Sequence, residues 1–367
     1  MLKLKRTVMI ATITLIFSLI FFAIVVQVTT GALTETRKSA LIETLSGLQL
    51  DDGSFTTPEF PNEGNMGDTV EVLTVLKILN ALDKVDVKRA MKYLISQQDP
   101  VSGGFGKILG YNNTFLGFDL YLTYHAVRAL KLLGVLDRIN RTVLVNFVLK
   151  RYNWSDGGFH ELTVETFGRK YAISTFPIDF RTVELDKVAY ANSNIISTFC
   201  GVSILSELGE LDKINVTKTL NFIISCKTNS GVFAPRPSPS DLPFYIFPRD
   251  RNRSGVPYIF AAISALKALK HIDILTEEDK RKNLEYIREC QASHGGFFIH
   301  EEAKQWSEKW PYSPQQPTTY YTYQAIMTLY YLNMLDRTRD VILKAVRFVL
   351  NKQILGYSKP WLVPRRV

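Results

Sequence analysis

The sequence predicts an all-α fold: an α/α toroid of helical-hairpin repeats preceded by one N-terminal transmembrane helix. Three observations predict it. An uncharged apolar run lies near the N-terminus, a Gly-Gly-Phe peptide or near copy recurs five times, and two distinct helical patterns flank each copy.

Residues 1–6 are a short basic stretch with Lys3, Lys5 and Arg6, and no charge follows from Thr7 to Thr34. Residues 7–29 are read as the transmembrane anchor, partnered by the lipid bilayer, because residues 7–28 alone make a helix of roughly 33 Å, about one bilayer core. A cleaved signal has a shorter apolar region and a small-residue site, for which Thr30-Gly31-Ala32 is a poor match. The cations before the run place the amino end in the cytoplasm and the bulk of the chain outside. Sequons at Asn112, Asn140, Asn153, Asn215 and Asn252 agree with export.

The repeat domain runs over residues 33–357, about five and a half hairpins, and leaves residues 358–367 as a tail. Its turn peptides are Gly53-Ser54-Phe55, Gly103-Gly104-Phe105, Gly157-Gly158-Phe159, Gly231-Val232-Phe233 and Gly295-Gly296-Phe297. Before each stands an amphipathic stretch: 39–50, 87–98, 141–152, 217–227 and 281–291, with a sixth at 341–357. After each, beyond a loop, comes a segment apolar almost all round: 69–79, 121–134, 195–209, 258–269 and 320–333. A helix apolar on every side is buried on every side. Stacked hairpins with such inner helices favour a closed ring around a central cavity, since an open stack would leave one face wet.

Of the 367 residues, 46% are hydrophobic and 22% charged, enough for a large core and incompatible with a disordered chain. The net charge of +9 forms no basic stripe, so no nucleic-acid partner is predicted. Cys200, Cys226 and Cys290 are too few and too scattered for a disulfide scaffold or a Cys-x-x-Cys metal site. The position of Cys200 corresponds to that of His125, and that of Cys226 to that of Cys290, which argues for packing roles.

Two features carry a family resemblance. One is Gly-Gly-Phe behind a Gln, as at Gln98 to Phe105 and Gln291 to Phe297; the other is Asp119-Leu120-Tyr121-Leu122-Thr123-Tyr124-His125-Ala126, with a weaker copy from Thr318 to Ala325. The chain thereby resembles the α/α-toroid superfamily of protein prenyltransferase β subunits and squalene and terpene cyclases. That resemblance implies zinc held by an Asp, by a Cys two residues later, and by a His three residues after another such Asp. Aligning Asp68, Asp119, Asn194, Gly255 and Thr318 finds neither the thiolate nor the imidazole at those offsets. The Asp-x-Asp-Asp acid of the cyclases and the Gly-Cys-Gly-Glu-Gln thioester segment are also missing from the sequence. No metal and no cofactor is therefore predicted.

Candidate residues cluster where the inner helices begin. Asp68, Asp119 and His125 are the catalytic candidates. Tyr121, Tyr124, Asn194, Thr198, Tyr258, Tyr320, Tyr321 and Tyr323 would line an aromatic pocket for an isoprenoid or other apolar ligand. Arg249, Arg251 and Arg253, in one long loop, are candidates for clamping an acidic group, and Arg169, Lys170, Arg181, Lys187 and Arg236 are further loop cations. The same residues also have structural readings: helix caps for the aspartates, packed core for the tyrosines and the histidine, a solvated Pro-rich loop for the arginines. The functional expectation is a membrane-anchored toroid that binds an isoprenoid without zinc-dependent transfer, its protein partners unknown. Beside it stand a divergent active prenyltransferase or terpene cyclase, and an exported carbohydrate-active, polysaccharide lyase-like toroid or interaction scaffold.

Overall fold

A computed structural model describes residues 35–57, 60–109, 115–118, 120–160, 193–237, 254–309 and 316–354. Asp119, the cations of residues 161–192, Arg249, Arg251, Arg253, and the segments 1–34 and 355–367 lie outside the described residues. Among the described residues no helix is long and apolar enough to cross a membrane.

The chain alternates outer and inner helices. The outer ones are α1 (Glu35–Ser46), α3 (Val87–Ser96), α5 (Arg141–Leu149), α7 (Val216–Ser225), α9 (Glu277–Glu289) and α12 (Arg339–Ile354). The inner ones are α2 (Met66–Ile78), α4 (Leu120–Leu132), α6 (Ile195–Leu208), α8 (Val256–Ala268) and α11 (Thr319–Tyr331). Each inner helix packs on the next, α2 on α4, α4 on α6, α6 on α8 and α8 on α11. In α6 every residue except Ile196, Ser206 and Glu207 is buried, whereas α3 buries only Ala90 and Leu94. The two hydrophobic patterns thus sort the helices into two layers.

The turns weld neighbouring hairpins. Gly53, Gly103, Gly157, Gly231 and Gly295 all have φ between 84° and 102°, and at each a Cβ would run into the following outer helix. The phenylalanine after each turn is fully buried. Its N–H donates to a threonine of the inner helix: Phe55 to Thr69, Phe105 to Thr123, Phe159 to Thr198 and Phe297 to Thr322, at 2.9 to 3.1 Å. The fifth joint, at Phe233, faces Ile259 in the same register and has no hydroxyl there. Gln49 and Gln98 add a second tie, since each amide both accepts from the N–H and donates to the carbonyl of Asp86 or Asn140, the cap of the next outer helix. Gln291 donates to Val341 O at 2.9 Å in the last repeat.

Thr198→Val is expected to cost about 1–3 kcal/mol, because it strands the buried Phe159 N–H while keeping the side-chain shape. A urea midpoint unmoved by this change would show that the joint contributes nothing.

Three features depart from the sequence reading. The fold is not purely helical: β1 (Phe55–Thr57) pairs antiparallel with β2 (Phe60–Asn65), and β3 (Lys107–Leu109) with β4 (Phe115–Phe118). These hairpins let the two shortest turn-to-helix loops pair their own backbone on the way out and back. A short helix, α10 (Glu301–Lys309), also precedes α11. Finally, Asp68 is not the counterpart of Asn194, Gly255 and Thr318. Those three residues cap α6, α8 and α11, and the equivalent cap of α2 is Asn65, whose side chain accepts from Asp68 N. The threonine joints fix this register, Thr69 following Asn65 by the same four residues that separate Thr198 from Asn194.

Candidate functional site

Counting from the joint threonine gives the inner helices a common register. One residue after it stand Val70, Tyr124, Phe199, Phe260 and Tyr323. The last four form an unbroken edge-to-face series, Tyr124 on Phe199 at 4.7 Å, Phe199 on Phe260 at 5.5 Å and Phe260 on Tyr323 at 5.9 Å between ring centres. Two residues after the threonine come Glu71, His125, Cys200, Ala261 and Gln324, and five after it Thr74, Arg128, Ser203, Ser264 and Met327. Two residues before it, Tyr121 and Tyr320 meet across the centre, Oη to Oη 3.1 Å.

Together Tyr121, Tyr124, His125, Arg128, Phe199, Phe260, Tyr320, Tyr323 and Gln324 line a hollow of about 10 Å³, room for about one water molecule. Its wall is aromatic, and its polar groups are concentrated on α4 and α11.

Burial sets the protonation of these groups. His125 is pushed down to about 3, by desolvation first and by the Arg128 charge second, so it is neutral at physiological pH. The Tyr121, Tyr124 and Tyr320 hydroxyls are all pushed up by desolvation and stay protonated. Arg128 donates to Tyr124 Oη at 3.1 Å and stands 5.5 Å from that ring's centre. Glu71 is held well above the usual carboxylate range by desolvation and then by the Asp68 charge, and among the described residues its Oε2 has no hydrogen-bond partner.

Because the folded-state value of Glu71 is raised, its contribution to stability is complete below about 4.5 and is lost as pH climbs toward the raised value. Glu71→Gln should abolish that loss. The stability difference between variant and wild type is expected to grow in the variant's favour from pH 5 upward, by at most about 1.4 kcal/mol per pH unit. Parallel stability–pH curves for the two proteins would contradict the assignment.

Of the residues singled out by sequence, Tyr121, Tyr124, His125, Tyr320 and Tyr323 come together around the hollow. Thr198 is fully buried in the joint, and Asn194 is occupied as a cap, accepting from Ser197 N at 2.8 Å. Tyr258 and Tyr321 pack half-buried against the core outside that lining, and Asp68 sits buried in the first turn of α2. Phe199, Phe260, Gln324, Arg128 and Glu71 are the additions. Their signal is the register itself, one, two and five residues past each joint.

Zinc ligands are missing from the corrected register as well. Two and three residues after the caps Asn65, Asn194, Gly255 and Thr318 stand Gly67 and Asp68, Ile196 and Ser197, Pro257 and Tyr258, Tyr320 and Tyr321. Among the described residues no group of three or more His, Cys, Asp or Glu is placed to hold a metal ion.

A two-layered stack of helical hairpins, welded at glycine turns around an aromatic centre, defines the chain as an α/α toroid. Its sequence matches the prenyltransferase alpha-alpha toroid domain over residues 5–160, 115–246 and 240–356, and the chain belongs to that family. The fold is similar to that of Candida albicans protein geranylgeranyltransferase-I complexed with GGPP, at 17% identity and a TM-score of 0.56 over 86% of each chain. It is similar too to a type II terpene cyclase from Scytonema in complex with geranylgeranyl dihydroxybenzoate, at 15% identity and a TM-score of 0.50 over 88% of this chain and 78% of the other. No curated protein matches the sequence.

Proposed function

We propose that this protein is a membrane-anchored toroid that binds an isoprenoid or similar long apolar molecule at its aromatic centre, without zinc-dependent prenyl transfer. The observation that carries the reading is the series Tyr124, Phe199, Phe260 and Tyr323, contributed by four inner helices and backed by Gln324 Oε1, which is buried on the wall of the hollow and unpaired among the described residues. Each buried, unpaired polar atom costs about 1–3 kcal/mol, which a ligand hydroxyl would relieve. The geranylgeranyl compounds bound by the two similar structures support the choice of ligand class. Because the hollow holds about one water, binding a long apolar molecule requires the surrounding rings to move apart. Residues 7–29 serve as the anchor and the cations before them leave the toroid outside the cytoplasm.

Native mass spectrometry of the detergent-extracted chain, with thermal melting in geranylgeraniol, tests the reading. One retained lipid per chain and a saturable rise in melting temperature are expected, both lost in Phe199→Ala. The small size of the hollow favours a second reading, an interaction scaffold with a filled centre. That reading prevails if no lipid is retained and geranylgeraniol leaves the melting curve unchanged.

A further inference from the structure

We infer that Asn140 and Asn215 are N-glycosylation sites and that Asn153, although it also stands in a sequon, is not. The inference rests on the toroid lying outside the cytoplasm, as proposed above, and is independent of any ligand at the centre.

Asn140 and Asn215 hold the same place in successive repeats, as the N-caps of α5 and α7. Asp86 holds it in the repeat before and Thr276 in the repeat after. All four side chains accept from the backbone N–H three residues on, that of Arg89, Val143, Lys218 or Asp279. The cap therefore does not need an amide, and an aspartate would add a charge that favours the positive end of the helix. Two residues on stand Thr142 and Thr217, both exposed within the first helical turn, where a β-branched residue is a weak helix former. Asp86 and Thr276 have Lys88 and Glu278 there. Capping and helix propensity thus leave the pairing of Asn with Thr unexplained, whereas the Asn-x-Thr acceptor motif requires both residues.

The geometry at both sites admits a sugar. Each asparagine is exposed, and its backbone is pinned from behind, Asn140 N–H donating to Gln98 Oε1 at 2.8 Å and Asn215 N–H to Tyr152 Oη at 3.2 Å. The cap uses Oδ1 alone, so a substituent on Nδ2 leaves it intact. Asn153 is built differently. It is half-buried, its Oδ1 accepts from Ser155 N at 3.0 Å and from Ser155 Oγ at 2.7 Å, and its Nδ2 donates to Asp156 Oδ2 at 3.0 Å. Asp156 in turn accepts from Gly158 N and Ser193 Oγ. The hydroxyl of this sequon is thus taken up by its own asparagine, and a sugar would compete with the network that shapes the Gly157 turn. In the transfer itself, Nδ2 attacks the anomeric carbon of a lipid-diphosphate-linked oligosaccharide supplied by the exporting cell. The C–N bond forms, the C–O bond breaks with its electron pair leaving on the diphosphate, and Nδ2 gives up one proton.

The test expresses the full chain in a eukaryotic secretory host, with an unrelated acceptor sequon appended after Val367 to report which side the domain occupies. Glycans are released by peptide-N-glycosidase in heavy-oxygen water, which converts each occupied asparagine to a labelled aspartate, and the labels are mapped by peptide mass spectrometry. Labels at Asn140 and Asn215, and none at Asn153, are expected. Asn140→Asp and Asn215→Asp should each remove one glycan while keeping the cap, and Thr142→Val should remove the glycan of Asn140 with its asparagine in place. A labelled reporter with Asn140 and Asn215 bare, or with Asn153 labelled in their stead, overturns the inference and leaves the exported orientation standing. A bare reporter overturns the orientation, and the inference with it.

Discussion

Gly157→Ala is expected to cost about 3 kcal/mol or more, and Gly134→Ala only about 1 kcal/mol, although both glycines have positive φ, 84° and 71°. The left-handed backbone penalises any Cβ at either site by a similar amount. What differs is the space beyond. At Gly157 a Cβ would stand 2.5 Å from Lys218 C and 2.6 Å from Lys218 O, backbone atoms of α7 that cannot swing aside. At Gly134 nothing among the described residues lies within 4 Å. The chain itself supplies the control, because the left-handed residue after the inner helices is Asn80, Gly134, Gly209, Lys270 and Asn333 in turn, while the turn position is glycine in all five repeats. Urea midpoints with unchanged slope measure both losses. Equal losses would mean that the turns do not press on the next helix.

The two layers were legible because burial on one side and burial on all sides leave different hydrophobic patterns, as α3 and α6 illustrate. The strands were not legible. Phe60–Asn65 reads FPNEGN, with a proline and a glycine and no alternation, so its pairing comes from the need to turn back within ten residues of Phe55. Helix α10 has the sequence EEAKQWSEK, whose apolar content is too low for a periodic signal, and its anchor is the fully buried Ala303. Asp68 misled because Asn65 and Asp68 are both residues that cap helices, and only the bond from Phe55 to Thr69 decides between them.

The site was half legible for a related reason. Attention to the first turn of each inner helix finds Tyr121 and Tyr320 and misses Arg128, which lies two turns on. The packing that brings Gln324 and His125 into one lining is a property of the ring and has no local signature. Phe199 and Phe260 look like ordinary core residues in sequence, and only their shared register with Tyr124 and Tyr323 marks them as wall.

Phe159→Ala is expected to lose about 3–5 kcal/mol, the range for deleting a fully buried aromatic side chain whose surroundings cannot collapse. Collapse is blocked on each side. The backbone of Phe159 is pinned to α6 by its N–H on Thr198 and by its carbonyl, which accepts from Asn194 N at 3.0 Å. Its ring lies on Gly201 of the same helix, so closely that a Cβ there would stand 2.6 Å from Cε1, with the Tyr152 ring at 5.1 Å. Gly201 therefore reports on the cavity. In the wild-type chain Gly201→Ala drives a methyl group into the phenyl ring and should destabilise, despite the roughly 1 kcal/mol that alanine gains over glycine inside a helix. Once Phe159 is alanine the obstacle is gone, the helix preference remains and the methyl fills part of the void, so the same change should stabilise. A double-mutant cycle measures the coupling, whose expected size is about 1–3 kcal/mol with a reversal of sign in the effect of Gly201→Ala. Additive effects would place the Phe159 ring elsewhere than against α6.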